Sequence, residues 1–187
     1  MPLDTELHKV AYKGDCSEIE HELSVSGTDV NAPGSQGRTA LHRAVCGLHS
    51  KAVTLLLEKG ADPTQKDRRG MTPLHWLGIV SCSTIATAEK VSSVTKILVA
   101  AVTPTDAVGP WLNAKDGQNK TAVQLALEGA ETGNAVCARA FADILISHGA
   151  QVEQAEIRGA SATNTDASSF KAGGANSQSS CGPCTIS

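Results

Sequence analysis

The chain has 187 residues, with 16 Lys+Arg against 19 Asp+Glu for a formal net charge of -3, and 41% of it is apolar. At roughly 100 to 200 residues per domain there is room for one domain with a tail or for a short array of small repeats, not for two independent cores. The acidic balance argues against a nucleic-acid grip, and 3% aromatics argue for a Leu/Ile/Val/Ala core of thin stacked helices over a sandwich built around large rings.

At the start of the chain, residues 1–10 carry Asp4, Glu6 and His8 where a signal peptide needs an apolar run, and no later segment approaches about 18 consecutive apolar residues. The expectation is a cytoplasmic protein. Its six cysteines, Cys16, Cys46, Cys82, Cys137, Cys181 and Cys184, are then expected as thiols, with no disulfide framework and no zinc site.

A phrase Thr-x-Leu-His recurs along the chain at Thr5–His8, Thr39–His42 and Thr72–His75, and in weakened form at Thr121–Gln124. By subtraction of the Thr numbers the intervals are 34, 33 and 49 residues, the last being one period plus 16. Each phrase from the second onward follows a turn ending at Gly37, Gly70 or Asn119, residue types that accept a positive φ. Six residues before each turn stands Asn31, Thr64 or Asn113. Thr caps a helix start, Pro73 suits a first helical turn, and Leu41, Ala44 and Val45 fall on one helical face. The second half of the period reads Val53–Leu57 closed by Gly60-Ala61-Asp62, restated as Ile144–Ile146 closed by Gly149-Ala150.

In these residues the chain resembles the ankyrin repeat family, whose period is about 33 and whose signature is Thr-Pro-Leu-His-x-Ala followed by a second helix and Gly-Ala-Asp. Residues 37 to 69 are a nearly complete copy. The resemblance implies an all-α fold, an ankyrin-repeat solenoid of helix-turn-helix repeats joined by short hairpin loops, over residues 1–155, in about four repeats: 1–36, 37–69, 70–118 and 119–155. It also implies that His42 and its equivalents hydrogen-bond loop backbone between neighbouring repeats, so that His8, His42 and His75 read as structural and not as catalytic groups or metal ligands.

The third repeat departs from the pattern. Leu77-Gly78 stands where two Ala are expected, Ser81–Ala88 delays the second helix to 91–101, and Val102–Pro110 replaces the Gly-Ala-Asp closure. Such insertions map to loops that either distinguish one binder from another or are tolerated drift. The fourth repeat inserts Glu128–Asn134 and carries Gln124 for His, which suits a terminal cap.

Beyond Glu153 the apolar periodicity ends, and residues 156–187 read as a flexible Ser/Ala/Gly-rich tail, disordered for want of apolar surface to bury. It finishes Cys184-Thr185-Ile186-Ser187, a prenylation pattern predicting farnesyl on Cys184, with Cys181 the candidate for palmitoylation; the alternative is an untouched thiol. Cys181-Gly182-Pro183-Cys184 also spells a redox dithiol motif, but without the strand–helix text that activates one.

The function expected is that of a non-enzymatic adaptor or scaffold with no cofactor, metal or small-molecule substrate, tethered peripherally to the cytosolic face of a membrane through its lipidated tail. The alternatives are a purely soluble binder or inhibitor of a signalling protein and, more weakly, a thiol-redox protein. By repeat phase, the resemblance implies a concave binding face at Tyr12, Lys13, Gln36, Arg38, Cys46, Arg68, Arg69, Met71, Ile79, Gln118 and Lys120. Five of these are Lys or Arg, which favours a partner with an acidic or phosphorylated surface.

Overall fold

Helix starts in this chain are set by threonines in extended conformation. Thr5 (φ -74, ψ 172), Thr39 (φ -87, ψ 171) and Thr121 (φ -85, ψ 163) each stand as the cap before a helix. A computed structural model describes residues 3–25, 27–81, 83, 86–102, 105–131 and 133–151. Among them run α1 (Glu6–Lys13), α2 (Cys16–Val25), α3 (Ala40–Cys46), α4 (Ser50–Glu58), α5 (Pro73–Ser81), α6 (Ala88–Ala101), α7 (Thr105–Leu112), α8 (Ala122–Ala130) and α9 (Ala135–Ser147). The tail with Cys181 and Cys184, and Cys82, lie outside the described residues.

The helices form two rows. In the inner row α1 packs on α3, α3 on α5 and α5 on α8; in the outer row α2 meets α4, α4 meets α6 and α6 meets α9. Across the rows α1 pairs with α2, α3 with α4, α5 with α6 and α8 with α9, giving four helix pairs in chain order. The seam is made of Leu7, Ile19, Leu41, Leu56, Leu74, Leu98 and Leu145, with Ala40, Ala44, Ala52, Ala122 and Ala126 fully buried among them. Each Leu of this set contributes about 2 kcal/mol by leaving water, and the Ala positions set the spacing that permits it. This is the all-helical repeat architecture expected from the sequence.

Turns before the inner helices use the residues expected. Gly37 (φ 72), Gly70 (φ 74) and Asn119 (φ 65) all take positive φ, which reverses the chain into the next Thr.

The third repeat differs from expectation. Its outer helix begins at Ala88, capped by the Thr87 hydroxyl accepting from the Lys90 N–H, three residues before the expected 91. The segment 102–110, expected as a loop, supplies most of α7, although Pro110 sits inside that helix. The reason is tertiary. Trp111 and Leu112 are buried at 5% and 1% exposure, and the Trp111 indole N–H donates to the Pro63 carbonyl at 3.2 Å. That burial outweighs the N–H that proline removes from the helix.

Candidate protein-binding face

Three buried histidines pin neighbouring repeats together. The main-chain N–H of Thr39 donates to His42 Nδ1 at 3.1 Å, and since an amide N–H only donates, Nδ1 is the acceptor and the ring proton sits on Nε2. Nε2 then donates to the Met71 carbonyl at 3.1 Å. His8 repeats this between Thr5 (3.3 Å) and the Arg38 carbonyl (3.0 Å), and His75 between Thr72 (3.2 Å) and the Lys120 carbonyl (3.2 Å). In the fourth repeat Gln124 takes the place of His, its Oε1 accepting from the Thr121 N–H at 2.9 Å. Burial pushes His42 down to about 4, and pushes His8 and His75 down as well. The imidazoles are neutral and engaged at both nitrogens, so they hold the stack, as the resemblance implied.

The hairpins between repeats are fastened by carboxylates the sequence reading did not single out. Asp67 is 6% exposed; its Oδ1 accepts from the N–H of Arg69 (2.8 Å) and of Met71 (3.0 Å), and its Oδ2 from the Trp76 indole (3.0 Å). Asp116 accepts likewise from Gln118 (2.8 Å) and Lys120 (3.0 Å). Both stand three residues before the turn residues Gly70 and Asn119, and Gly34 holds that phase before Gly37, which hid the pattern. Asn31 and Asn113 add a second brace: Asn31 Oδ1 accepts from the Asp62 N–H at 2.8 Å, and Asn113 Oδ1 from the Gln151 N–H at 2.6 Å. Tips join directly, Arg68 N–H to the Gln36 carbonyl at 3.0 Å and Gly117 N–H to the Arg69 carbonyl at 2.8 Å. The hairpins thus form one continuous ridge beside the inner row.

On this ridge and row the expected binding residues divide. Tyr12 (55% exposed) and Ile79 (36%) project from α1 and α5, and Lys13, Gln36, Arg68, Arg69 and Gln118 are exposed. Cys46 is half-buried, and burial pushes its thiol up to about 11, which leaves it protonated and unreactive. Met71, expected at the surface, is 1% exposed: an apolar side chain at the hairpin base turns into the seam while its backbone serves Asp67 and His42. Arg38 and Lys120 are exposed only in part and already have partners. The Arg38 guanidinium lies 3.9 Å from the Trp76 ring centroid, and its Nε 3.9 Å from Asp67 Oδ2; Lys120 pairs with Glu128. Among the described residues, Lys13, Arg68 and Arg69 make no ion pair, so they are the basic members of the expected set left to meet a partner.

Between α1 and α3 opens a cleft of about 300 Å³ lined by Asp4, His8, Lys9, Tyr12, Lys13 and Arg43. Asp4 is held there by Arg43 and by the Ser35 N–H at 2.9 Å; burial pushes its carboxyl up, but these two outweigh it and keep it below the usual carboxylate range. Among the described residues no group of three or more His, Cys, Asp or Glu is placed to hold a metal ion, and no helix is long and apolar enough to cross a membrane.

The comparisons agree with this geometry. "SH3 and multiple ankyrin repeat domains protein 1" of Homo sapiens is 38% identical over 77 residues, 41% of this chain and 4% of that protein. "Potassium channel AKT1" of Oryza sativa subsp. indica is 41% identical over 71 residues, 37% of this chain and 8% of its own length. "Inactive serine/threonine-protein kinase TEX14" of Mus musculus is 36% identical over 73 residues, 39% of this chain and 5% of that protein. The chain therefore spans a small fraction of the length of these relatives. Residues 7–79 match the family model for Ankyrin repeats (3 copies), so that stretch carries ankyrin repeats.

Proposed function

We propose that residues 1–155 act as one binding unit, and that the face formed by the hairpin ridge and the exposed side of α1, α3, α5 and α8 receives another protein. The observation that carries this is the division of labour on the face. The histidines, Asp67 and Asp116 are consumed in holding the repeats, while Tyr12, Ile79, Arg68 and Arg69 stand exposed with no structural task that requires them there. A large aromatic and arginines are the residue types that anchor interfaces. A photo-crosslinking amino acid at Tyr12 should trap the partner in cells, whereas one at Lys96, exposed on the outer helix α6, should not. Adducts at Lys96 alone would move the site to the outer row.

The membrane-recruitment part of the reading rests on the pattern Cys184-Thr185-Ile186-Ser187 and applies where Ser187 ends the cellular protein. A single farnesyl on Cys184 holds a bilayer only marginally, so palmitoylation of Cys181 would supply the second anchor at the cytosolic face. Intact mass and membrane partition of the native protein beside Cys184→Ser decide it: an unmodified, wholly soluble protein leaves the soluble binder.

A further inference from the structure

Charge is not spread evenly over the stack. The four hairpin and inner-helix segments, residues 3–13, 34–46, 64–81 and 115–130, hold nine Lys or Arg against five Asp or Glu. Residues 15–25, Asp15 and the outer helix α2, hold four Asp or Glu and no Lys or Arg. A chain with a net charge of -3 thus presents a net positive face on the hairpin side and an acidic flank behind it. The acids on the positive side are largely engaged: Asp4 with Arg43, Asp67 with the Trp76 indole and two backbone N–H groups, Asp116 with two more, and Glu128 with Lys120. These acids are taken up by partners within the protein, whereas the cations of Lys13, Arg68 and Arg69 are exposed and make no ion pair.

Two features give this face shape as well as sign. The cleft of about 300 Å³ places the Tyr12 ring beside Lys13, with Arg43 answered there by Asp4 and Lys9 by Glu6, in a volume suited to one or two side chains. One repeat along, the Arg38 guanidinium lies over Trp76 and faces the Asp67 carboxylate, which leaves the exposed Arg68 and Arg69 of the same hairpin tip to meet a ligand. The planar fork of an arginine guanidinium favours a carboxylate.

We propose that the occupant of this face is an acidic segment of a partner protein, lying across the inner row with a carboxylate-bearing side chain beside Tyr12 and Lys13 and a further carboxylate against the Arg68–Arg69 tip. This rests on the reading of the hairpin side as the binding face and names the chemistry of what binds there. Charge complementarity of this kind steers encounter and discriminates between partners more than it adds raw affinity, so binding weakens as salt rises.

The test uses the full chain and a fluorescent peptide of Glu, Leu and Ser long enough to cross three repeats. Beside it are run the same peptide with Lys for Glu, an RNA oligonucleotide of equal length, and phosphatidylserine vesicles. The Glu peptide should bind and the Lys peptide should not. Combining Lys13→Glu, Arg68→Glu and Arg69→Glu should weaken the Glu peptide by about tenfold or more, roughly 1.4 kcal/mol. These side chains are exposed and unpaired, so the circular dichroism melt should be unmoved, and Glu18→Lys with Glu20→Lys on α2 should leave affinity as it was. Equal binding of the Lys peptide, an indifferent triple variant, or tighter binding of RNA or vesicles overturns the proposal. So does self-association abolished by the triple variant, which would make the occupant the acidic α2 flank of a second copy. If Tyr12 traps a partner that the Glu peptide does not displace, this inference fails and the broader reading stands; if Tyr12 traps nothing, the broader reading fails first.

Discussion

The Nε2–H of His42 donates to the main-chain carbonyl of Met71 at 3.1 Å, so a side chain of one repeat closes a hydrogen bond on the last hairpin residue before the next repeat's helix. The other nitrogen holds the Thr39 N–H at the start of its own helix. Replacing His42 with Ala strands a buried amide donor and opens a cavity, and should cost about 3 kcal/mol. His42→Gln should cost about half of that, because Gln124 already shows a glutamine accepting from the equivalent Thr121 N–H at 2.9 Å. Urea unfolding of the two variants measures the difference; equal losses would mean that the ring's bulk, not its hydrogen bonds, carries the position.

The same histidines make stability depend on pH. His42 is pushed down to about 4 by burial, below the ordinary value of about 6.5 that it regains on unfolding. The unfolded chain therefore binds the proton more readily. Its contribution is complete above about pH 6.5 and is lost as pH falls toward 4, to the extent of about 3 kcal/mol for His42. His8 and His75, lowered by the same cause, add in the same direction. The denaturation midpoint should fall between pH 6.5 and 4, and a His42→Gln chain should show a visibly shallower fall; parallel curves would contradict the assignment.

Part of this architecture was legible because it is local. The Thr-x-Leu-His phrase encloses its own cap and ring partner within four residues, so each copy announces a helix start wherever it stands. The helix α7 was not legible: Gly109-Pro110 reads as a break, and what holds the helix is Trp111 reaching Pro63, 48 residues back, a contact no local window contains. Asp67 and Asp116 share a phase before the turn, but Gly34 interrupts it in the first repeat, where Asp4 reaches across to the Ser35 N–H instead. Met71 shows the limit of phase alone. It shares the position of Arg38 and Lys120, yet its apolar chain is buried where theirs reach outward.

Asp67 should prove more important than its twin. Removing it to Ala deprives three donors, the Arg69 and Met71 N–H groups and the Trp76 indole, of their acceptor at a site only 6% exposed, and should cost about 3 to 4 kcal/mol. Asp116 serves two N–H groups at a half-buried site where water substitutes, so Asp116→Ala should cost about 1 kcal/mol. Asp67→Ala should also shift the Trp76 fluorescence, since both the indole's acceptor and the anion facing the stacked Arg38 are gone. Similar destabilisation by the two variants would show that burial does not govern the hairpin carboxylates.

Gly78 stands where the repeat pattern expects Ala, and the packing of α5 on α8 explains it. A Cβ added at Gly78 would lie 2.5 Å from the Ala122 carbonyl oxygen and 3.4 Å from the Phe141 ring. The nearer atom is backbone, so relief requires the two helices to separate, and overpacking of that kind costs about 1 to 3 kcal/mol. Against it, Ala in place of Gly inside a helix gains about 1 kcal/mol of propensity. The clash should win, and Gly78→Ala should lose about 1 to 2 kcal/mol despite restoring the family residue. It should also loosen the junction between the third and fourth repeats, seen as faster amide exchange in α8 than in α3. A Gly78→Ala chain that melts higher than the native one would show that α5 and α8 sit farther apart than this contact requires.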